Sequence, residues 1–222
     1  MRRSVAGSWK LYRRGLRTCS KMTDAARRLA VLSNNLNSLN SRPANLPVHG
    51  YRPPAGPWRP RPAAVLIPIL LEPEPRVILT VRSAGMTSHA GQVALPGGGR
   101  SGDENYPTET ALREAIEEIG IDRDQIELLG LLDGFDTISA WRVIPVVAAI
   151  AAPVRLQPCD HEVREIFSLP LDQVLDSGSY RRHTVIRGGH GFEMYSMNSG
   201  IRTVWGATAA ILHDLAGRAP GA

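Results

Sequence analysis

The sequence predicts an α/β or α+β domain in which helices pack on a mixed β-sheet. Short apolar runs rich in Val, Ile and Leu are interleaved with stretches whose apolar residues follow helical spacing. Two pairs of the apolar runs are separated by turn-forming residues, which indicates hairpins and therefore a mixed sheet. Apolar residues make up 43% of the 222 residues, enough for one packed core.

The chain divides into four predicted segments: a basic leader over residues 1–21, a lead-in over 22–62, a folded domain over 63–217 and a tail over 218–222. The leader contains seven basic residues and no acidic ones. A targeting peptide, a disordered basic arm and an upstream translation start all remain open for it. We favour the third interpretation, with Met22 as the true start. The lead-in is predicted as a short helix over 24–33 followed by an extended, proline-rich stretch.

Each element of the domain follows from a local pattern. Two β-type runs flank Pro73-Glu74-Pro75 and predict a hairpin, and a helix ends before Gly120, a residue suited to a left-handed helix terminus. A closing helix is predicted with Trp205, Ala209, Leu212 and Leu215 on its apolar side. In chain order, the predicted elements are strands Ala63–Glu72, Arg76–Arg82 and Gln92–Leu95, helix Thr108–Ile119, strand Val143–Ile150, helical turn Leu171–Leu175, strands Tyr180–Ile186 and Phe192–Met197, and helix Val204–Ala216.

The charge distribution argues against a nucleic-acid partner. The net charge is +5, but outside the leader 19 basic residues face 21 acidic ones. Between Asp103 and Glu127 nine acidic residues stand against two basic ones. Aromatic residues make up only 5% of the chain, too few for the base-stacking surfaces of many RNA-binding modules. We therefore expect neither nucleic acid nor a membrane as partner; the motifs described below predict a small molecule instead.

Compartment and assembly follow from weaker signals. No apolar run approaches the roughly 18 residues that a membrane helix needs. The two cysteines, Cys19 and Cys159, do not suggest a disulfide framework, which favours a reducing compartment. We expect a cytoplasmic protein, with organelle targeting by residues 1–21 left open. A homodimer is also left open.

Three glutamates on the predicted helix carry the strongest chemical signal. Glu114, Glu117 and Glu118 project on nearly one face. Like charges this close destabilise a bare helix by a few tenths of a kcal/mol per pair, so a cation is expected against them. Clustered carboxylates suit Mg²⁺ or Mn²⁺, and Mg²⁺ commonly shares its coordination sphere with substrate phosphates.

A glycine run precedes this helix. Gly97, Gly98 and Gly99 allow the backbone to approach a metal ion and a diphosphate closely. A metal ion lowers the pKa of water in its sphere and a spare carboxylate can take the proton. The pattern therefore predicts metal-assisted attack of water on a phosphoanhydride.

The same segment resembles the Nudix box, Gly-x5-Glu-x7-Arg-Glu-U-x-Glu-Glu-x-Gly-U, where U is apolar. Residues 113–121 match the second half in full. Gly98 and Glu104 have the spacing of the first half, but eight residues rather than seven lie between Glu104 and Arg113.

A second motif is similar to the signature of coenzyme A pyrophosphatases, which also tend to carry the expanded box. It runs Leu79-Thr80-Val81-Arg82-Ser83 and then Ser88-His89-Ala90-Gly91-Gln92-Val93-Ala94-Leu95-Pro96-Gly97-Gly98. Two positions depart from that pattern. Thr87 stands where an arginine is usual, and Leu95 replaces a phenylalanine.

The resemblance implies a Nudix α/β/α sandwich and a hydrolase that needs Mg²⁺ or Mn²⁺. The implied reaction cuts CoA or acyl-CoA to adenosine 3′,5′-bisphosphate and (acyl-)4′-phosphopantetheine. Two alternatives are a Nudix pyrophosphatase for NADH, ADP-ribose or damaged nucleotides, favoured by Thr87, and a non-catalytic regulatory module, disfavoured by the intact glutamates.

The resemblance also assigns roles by position. The implied catalytic residues are Arg113, Glu114, Glu117, Glu118 and Glu162; the implied metal ligands are Glu114, Glu117, Glu118 and Gly98; the implied substrate contacts are Arg82, His89, Gly97, Gly98, Gly99 and Glu104. Arg113 would orient the glutamates by a salt bridge. The general base is left open between a box glutamate and Glu162 from a later loop.

Overall fold

The structure is a computed structural model that describes residues 24–53, 56–72, 74–85, 89–187 and 189–219. The predicted leader over residues 1–21, Thr87, Ser88 and residues 220–222 lie outside the described residues. The motif around Thr87 is therefore described only from His89 onward.

Twelve strands and four α-helices make up the described chain. The helices are α1 (Asp24–Leu32), α2 (Thr108–Ile119), α3 (Leu171–Leu175) and α4 (Gly206–Gly217). The strands are β1 (Val48–Gly50), β2 (Arg61–Leu71), β3 (Arg76–Arg82), β4 (Val93–Ala94), β5 (Gly97–Gly99), β6 (Ile126–Leu131), β7 (Gly134–Asp136), β8 (Trp141–Ala151), β9 (Val163–Pro170), β10 (Tyr180–Arg187), β11 (His190–Asn198) and β12 (Thr203–Trp205).

The centre of the main sheet is a parallel pair formed by β2 and β8. The two strands stay in register from Arg61 opposite Trp141 to Leu71 opposite Ala151. Both are nearly continuous apolar runs, as expected for strands covered on both faces. The main path of the sheet runs β1-β7-β8-β2-β3-β4, with β5 added to β2, β6 to β8 and β9 to β3.

Two separate hydrophobic clusters lie on the two faces of this sheet. On one face Ala111, Ala115 and Ile119 of α2 pack with Leu66 and other sheet residues. On the opposite face α1, α3 and α4 supply buried side chains that include Leu29, Leu171 and Leu212. The fold is thus the mixed α/β/α sandwich that the sequence predicts.

Both predicted hairpins are present, but the first has few paired positions. β2 and β3 pair antiparallel at only two positions, Ile69 with Val77 and Leu70 with Arg76. β2 makes its long ladder with β8, about eighty residues later in the sequence. The second hairpin pairs β10 with β11 along eight positions and forms a separate three-stranded sheet with β12.

The closing helix begins later than predicted. Residues 203–205 form β12, and α4 starts at Gly206. Trp205 is consequently 43% exposed, so its expected place on the apolar side of the helix is wrong. Its extended backbone, at φ −149° and ψ 172°, belongs to the strand that pairs with β11. Ala209, Leu212 and Leu215 are buried as expected.

The lead-in joins the main sheet. β1 pairs in parallel with β7, from Val48 opposite Gly134 to Gly50 opposite Asp136. Asp136 is fully buried and accepts hydrogen bonds from Trp58 at 2.7 Å and from Arg142 at 2.8 Å. Among the described helices, none is long and apolar enough to cross a membrane.

Candidate active site

Helix α2 presents the carboxylates to the glycine strand β5. The helix follows Pro107 and stops at Gly120, whose φ of 64° lies in the left-handed region that glycine adopts without strain. The buried residues of α2 fix its roll on the sheet, so the glutamates face the edge where β5 pairs with β2. The predicted helix bounds are confirmed at both ends.

Arg113 contacts both the glutamates of α2 and the loop that precedes this helix. Its Nη2 lies 2.8 Å from Glu114 Oε1, and its Nη1 lies 2.9 Å from Glu117 Oε2. Its Nε donates to Glu104 Oε2 at 3.1 Å, and its Nη2 also donates to the Gly99 carbonyl at 3.0 Å. One guanidinium thus ties the helix to both parts of the preceding loop, which a lysine ammonium could not do with the same geometry.

Glu104 and Arg113 form a hydrogen-bonded frame that holds the loop between β5 and α2. The Oε1 of Glu104 accepts hydrogen bonds from the Ser101 backbone N–H at 2.6 Å and from the Thr110 hydroxyl at 2.8 Å. Burial raises the pKa of Glu104, but the hydrogen bonds from Ser101, Arg113 and Thr110 outweigh it, so the net pKa is lowered. The extra residue of the box therefore leaves this glutamate engaged with Arg113. Its predicted contact with substrate stays a prediction.

Glu118 is the most buried of the three helix glutamates, with 3% exposure. Its Oε2 accepts a hydrogen bond from the Gly97 backbone N–H at 3.2 Å, and its Oε1 lies 3.9 Å from Arg82 Nη1. Burial raises the pKa of Glu118 to about 8, because the pull of Arg82 and Gly97 toward the charged form is too weak to offset it. The charges of Glu114 and Glu162 raise that pKa further.

Glu114 lies directly against the glycine strand. A Cβ placed on Gly98 would come within 2.5 Å of the Glu114 carboxylate, so this approach requires glycine. Burial raises the pKa of Glu114, the contact with Arg113 lowers it, and the charges of Glu117 and Glu162 raise it, leaving a net rise. For both Glu114 and Glu118 burial is the largest cause of the raised pKa, and the negative charges of neighbouring glutamates add to it.

Three predicted site residues, Arg82, His89 and Glu162, lie outside α2 and the loop before it. Arg82 ends β3, and a turn folds back on it through a hydrogen bond from the Gly91 N–H to the Arg82 carbonyl at 3.1 Å. His89 lies in that turn at a positive φ of 60° and contacts Gln92 Oε1 through Nδ1 at 3.0 Å. Glu162 is exposed, and its carbonyl accepts from the Ser83 N–H at 2.8 Å.

The structure brings Arg113 against Glu104, Glu114 and Glu117. Gly97 and Arg82 adjoin Glu118, and Gly98 adjoins Glu114. The oxygens of the three helix glutamates do not all lie within 4.8 Å of one another in the described chain, since Glu117 is bound to Arg113 with 58% of its side chain exposed. Sequence reasoning missed Ser101 and Thr110, the donors to Glu104. Neither belongs to a motif, and only the fold of the loop brings them to that carboxylate.

Comparison with known proteins places this site in a family. Residues 60–187 match the family model described as NUDIX domain. A Pectobacterium atrosepticum protein named uncharacterized Nudix hydrolase NudL is 43% identical over 156 residues, covering 70% of this chain and 81% of that protein. The Photorhabdus laumondii protein of the same name is 39% identical, covering 70% of this chain and 83% of that protein.

A solved structure also matches. The M. smegmatis Nudix hydrolase RenU superposes with a TM-score of 0.42 at 25% identity, covering 64% of this chain and 82% of that one.

Proposed function

Because this chain belongs to the Nudix hydrolase family and is an enzyme, we propose that it hydrolyses the diphosphate of CoA or acyl-CoA with Mg²⁺ or Mn²⁺. Water adds to one phosphorus and the phosphoanhydride bond breaks, giving adenosine 3′,5′-bisphosphate and (acyl-)4′-phosphopantetheine. The observation that carries the proposal is the buried Glu118 beside Glu114, both against the glycine strand and framed by Arg113.

The donor set fits a hard divalent cation. Glu114 and Glu118 are adjacent carboxylates whose pKa values are raised, so a nearby cation would stabilise their charged forms. The family resemblance implies two further oxygen donors: Glu117, whose exposed carboxylate is paired with Arg113, and the Gly98 carbonyl. When bound, the cation supplies Lewis acidity: it neutralises charge on the diphosphate and makes water in the site more acidic.

Arg113 and Glu104 position the ligands. The guanidinium holds Glu114 by a 2.8 Å contact while its other nitrogens are fixed by Glu104 and the Gly99 carbonyl. Because Glu104 is itself held by Ser101 and Thr110, this frame is rigid before substrate binds. Preorganisation of this kind matters because small misplacement of ligands costs catalysis heavily.

We assign proton removal from the attacking water to Glu162. Its carboxylate is exposed, and its negative charge contributes to the raised pKa values of both Glu114 and Glu118, which supports this assignment. No hydrogen bond of its side chain to the frame is seen among the described contacts, in contrast to Glu104. An exposed carboxylate that makes no such bond is available to accept a proton from water.

Substrate phosphates would meet Arg82, His89 and the glycine strand β5. Arg82 Nε is buried and has no hydrogen-bond partner among the described residues, so this guanidinium retains donor capacity for an anion. The motif that includes Arg82 and His89 resembles the signature of CoA pyrophosphatases, which supports CoA as the substrate.

The experiment is a substrate panel with CoA, acetyl-CoA, NADH, ADP-ribose and dNTPs, each with Mg²⁺ or Mn²⁺ and with product identification. CoA or acetyl-CoA should rank first by kcat/KM. A second candidate substrate is another nucleoside diphosphate derivative. It is favoured because Thr87 stands where coenzyme A pyrophosphatases usually carry an arginine. NADH or ADP-ribose ranking above CoA would establish that alternative.

A further inference from the structure

A second cluster of metal-ligating side chains lies far from the glutamates of α2, at the sheet face covered by α4. His49 comes from β1, Asp133 from the turn between β6 and β7, and Asp214 from α4. One donor atom from each lies within 4.8 Å of the other two. His49 Nε2 and Asp133 Oδ2 are 3.0 Å apart. Three segments distant in sequence therefore converge on one point.

The spacing and chemistry suit a shared ion. Oxygen and nitrogen donors that bind one Zn²⁺ at about 2.0–2.2 Å lie at most about 4.4 Å apart. The three donor atoms, now within 4.8 Å of one another, would move closer together to share the ion. One imidazole nitrogen with two carboxylates favours first-row transition metals over Mg²⁺, which prefers oxygen alone.

The cluster forms part of the wall of a cavity of about 450 Å³, whose lining also includes Arg52, Phe192 and His213. A three-ligand site that faces such a cavity leaves positions where water or a small ligand completes the coordination sphere. A closed ion-pair network would not need that space.

Arg218 supplies a positive charge that pairs with the two aspartates of the cluster. Its Nη2 lies 2.7 Å from Asp133 Oδ1, but its Nε lies 3.5 Å from Asp214 Oδ2 and has no hydrogen-bond partner among the described residues. Burial raises the pKa of Asp214, and Arg218 only partly offsets this. Asp133 is well paired, because Asn37 also donates to its Oδ1 at 3.0 Å. Of the two carboxylates, Asp214 is therefore the one that is more weakly paired with Arg218.

We propose that His49, Asp133 and Asp214 bind one divalent transition-metal ion of the Zn²⁺ type, at a site separate from the Nudix glutamates. The ion clamps the lead-in strand β1 and the closing helix α4 to the turn after β6. Arg218 competes with it for the two carboxylates.

The test uses the full chain with Co²⁺ and Zn²⁺ as probes. Co²⁺ in a low-coordinate site with a nitrogen ligand absorbs visible light strongly, whereas octahedral Co²⁺ bound by oxygen alone absorbs weakly. Wild type should show the strong band, and Zn²⁺ should displace it. His49→Ala should lose the band and bind Zn²⁺ more than about tenfold more weakly, since even a lost supporting partner weakens a metal site by 10- to 100-fold. His183→Ala, an exposed histidine on β10, is the matched control and should behave as wild type.

The variant Arg218→Gln tests the proposal by the direction in which Zn²⁺ binding changes. If Arg218 competes with the ion, its removal tightens Zn²⁺ binding, and Zn²⁺ raises the Tm of this variant more than that of wild type. If the cluster is only an ion-pair network, Arg218→Gln lowers the Tm and takes up no Zn²⁺. Absence of the strong band from both wild type and Arg218→Gln, each folded by circular dichroism, would overturn the proposal. Glu118→Gln should keep the band, which separates this site from the active site.

Discussion

Replacing Glu118 by glutamine should remove activity and, in the metal-free protein at high pH, increase stability. The substitution keeps the size of the side chain and an oxygen that can accept from the Gly97 N–H. It removes the charge that a metal ligand needs. If Glu118 contributed only to packing, its substitution would lower both activity and stability. Loss of activity together with a gain in stability therefore indicates a functional carboxylate.

The magnitude follows from burial. The pKa of Glu118 rises from an ordinary 4.5 to about 8 in the folded protein. Between these values the native state binds more protons than the unfolded state, so the stability of the metal-free protein falls as pH rises through this window. At about 1.4 kcal/mol per pH unit, ionising Glu118 in the folded state costs at most about 5 kcal/mol. Glu118→Gln avoids that cost above pH 8, and its advantage disappears near pH 4.

The assay is urea unfolding with EDTA at pH 5 and pH 9, paired with Mn²⁺-dependent hydrolysis at pH 8. The control is Glu109→Gln on the same helix, whose side chain is 43% exposed and pairs with Arg123 at the surface. The control should stay within about 0.5 kcal/mol of wild type and keep full activity. The reasoning is refuted if Glu118→Gln is less stable than wild type at pH 9, or if it hydrolyses substrate at the wild-type rate.

Four further substitutions test separate parts of the site. Glu162→Gln should lower kcat by about 10²–10⁴ in steady-state assays while Mn²⁺ affinity stays unchanged; weaker Mn²⁺ binding would make Glu162 a ligand instead. Arg113→Lys should lower kcat/KM at least about tenfold, since a lysine cannot bridge Glu104, Glu114 and the Gly99 carbonyl together; an unchanged kcat/KM contradicts the positioning role. Gly98→Ala should displace Glu114 and cut turnover by a similar factor with the fold intact by circular dichroism, and full turnover would show that the close approach is dispensable. Thr87→Arg should lower the KM for CoA, and an unchanged KM would mean that this position does not contact the phosphates.

The helix that carries the chemistry could be predicted from local signals alone. Its apolar spacing and the glycine at position 120 give α2 its bounds, and the interaction of Arg113 with Glu117 follows from i, i+4 geometry. The resemblance implies that Arg113 binds the glutamates, but its contacts with Glu104 and the Gly99 carbonyl could not be predicted, because they depend on how the expanded loop folds over the helix.

Other parts of the fold depend on contacts between distant segments. The strands β6, β7 and β9 were not predicted, and the long partner of β2 is β8, which no turn connects to it. Trp205 was misplaced because helical spacing alone cannot show that Thr203–Trp205 pairs with β11. Burial of Glu118 likewise comes from the sheet beneath α2, so the sequence predicted the carboxylate but not its raised pKa.

The most direct measurement is a Mn²⁺ titration of CoA hydrolysis by wild type and by the triple variant Glu114→Gln, Glu117→Gln, Glu118→Gln. Wild type should form adenosine 3′,5′-bisphosphate and 4′-phosphopantetheine in equal amounts, with a rate that rises with Mn²⁺ to saturation and is abolished by EDTA. The triple variant should form neither product at any Mn²⁺ concentration while remaining folded. A folded triple variant that hydrolyses CoA as fast as wild type would contradict the assignment of these glutamates as the metal-dependent centre.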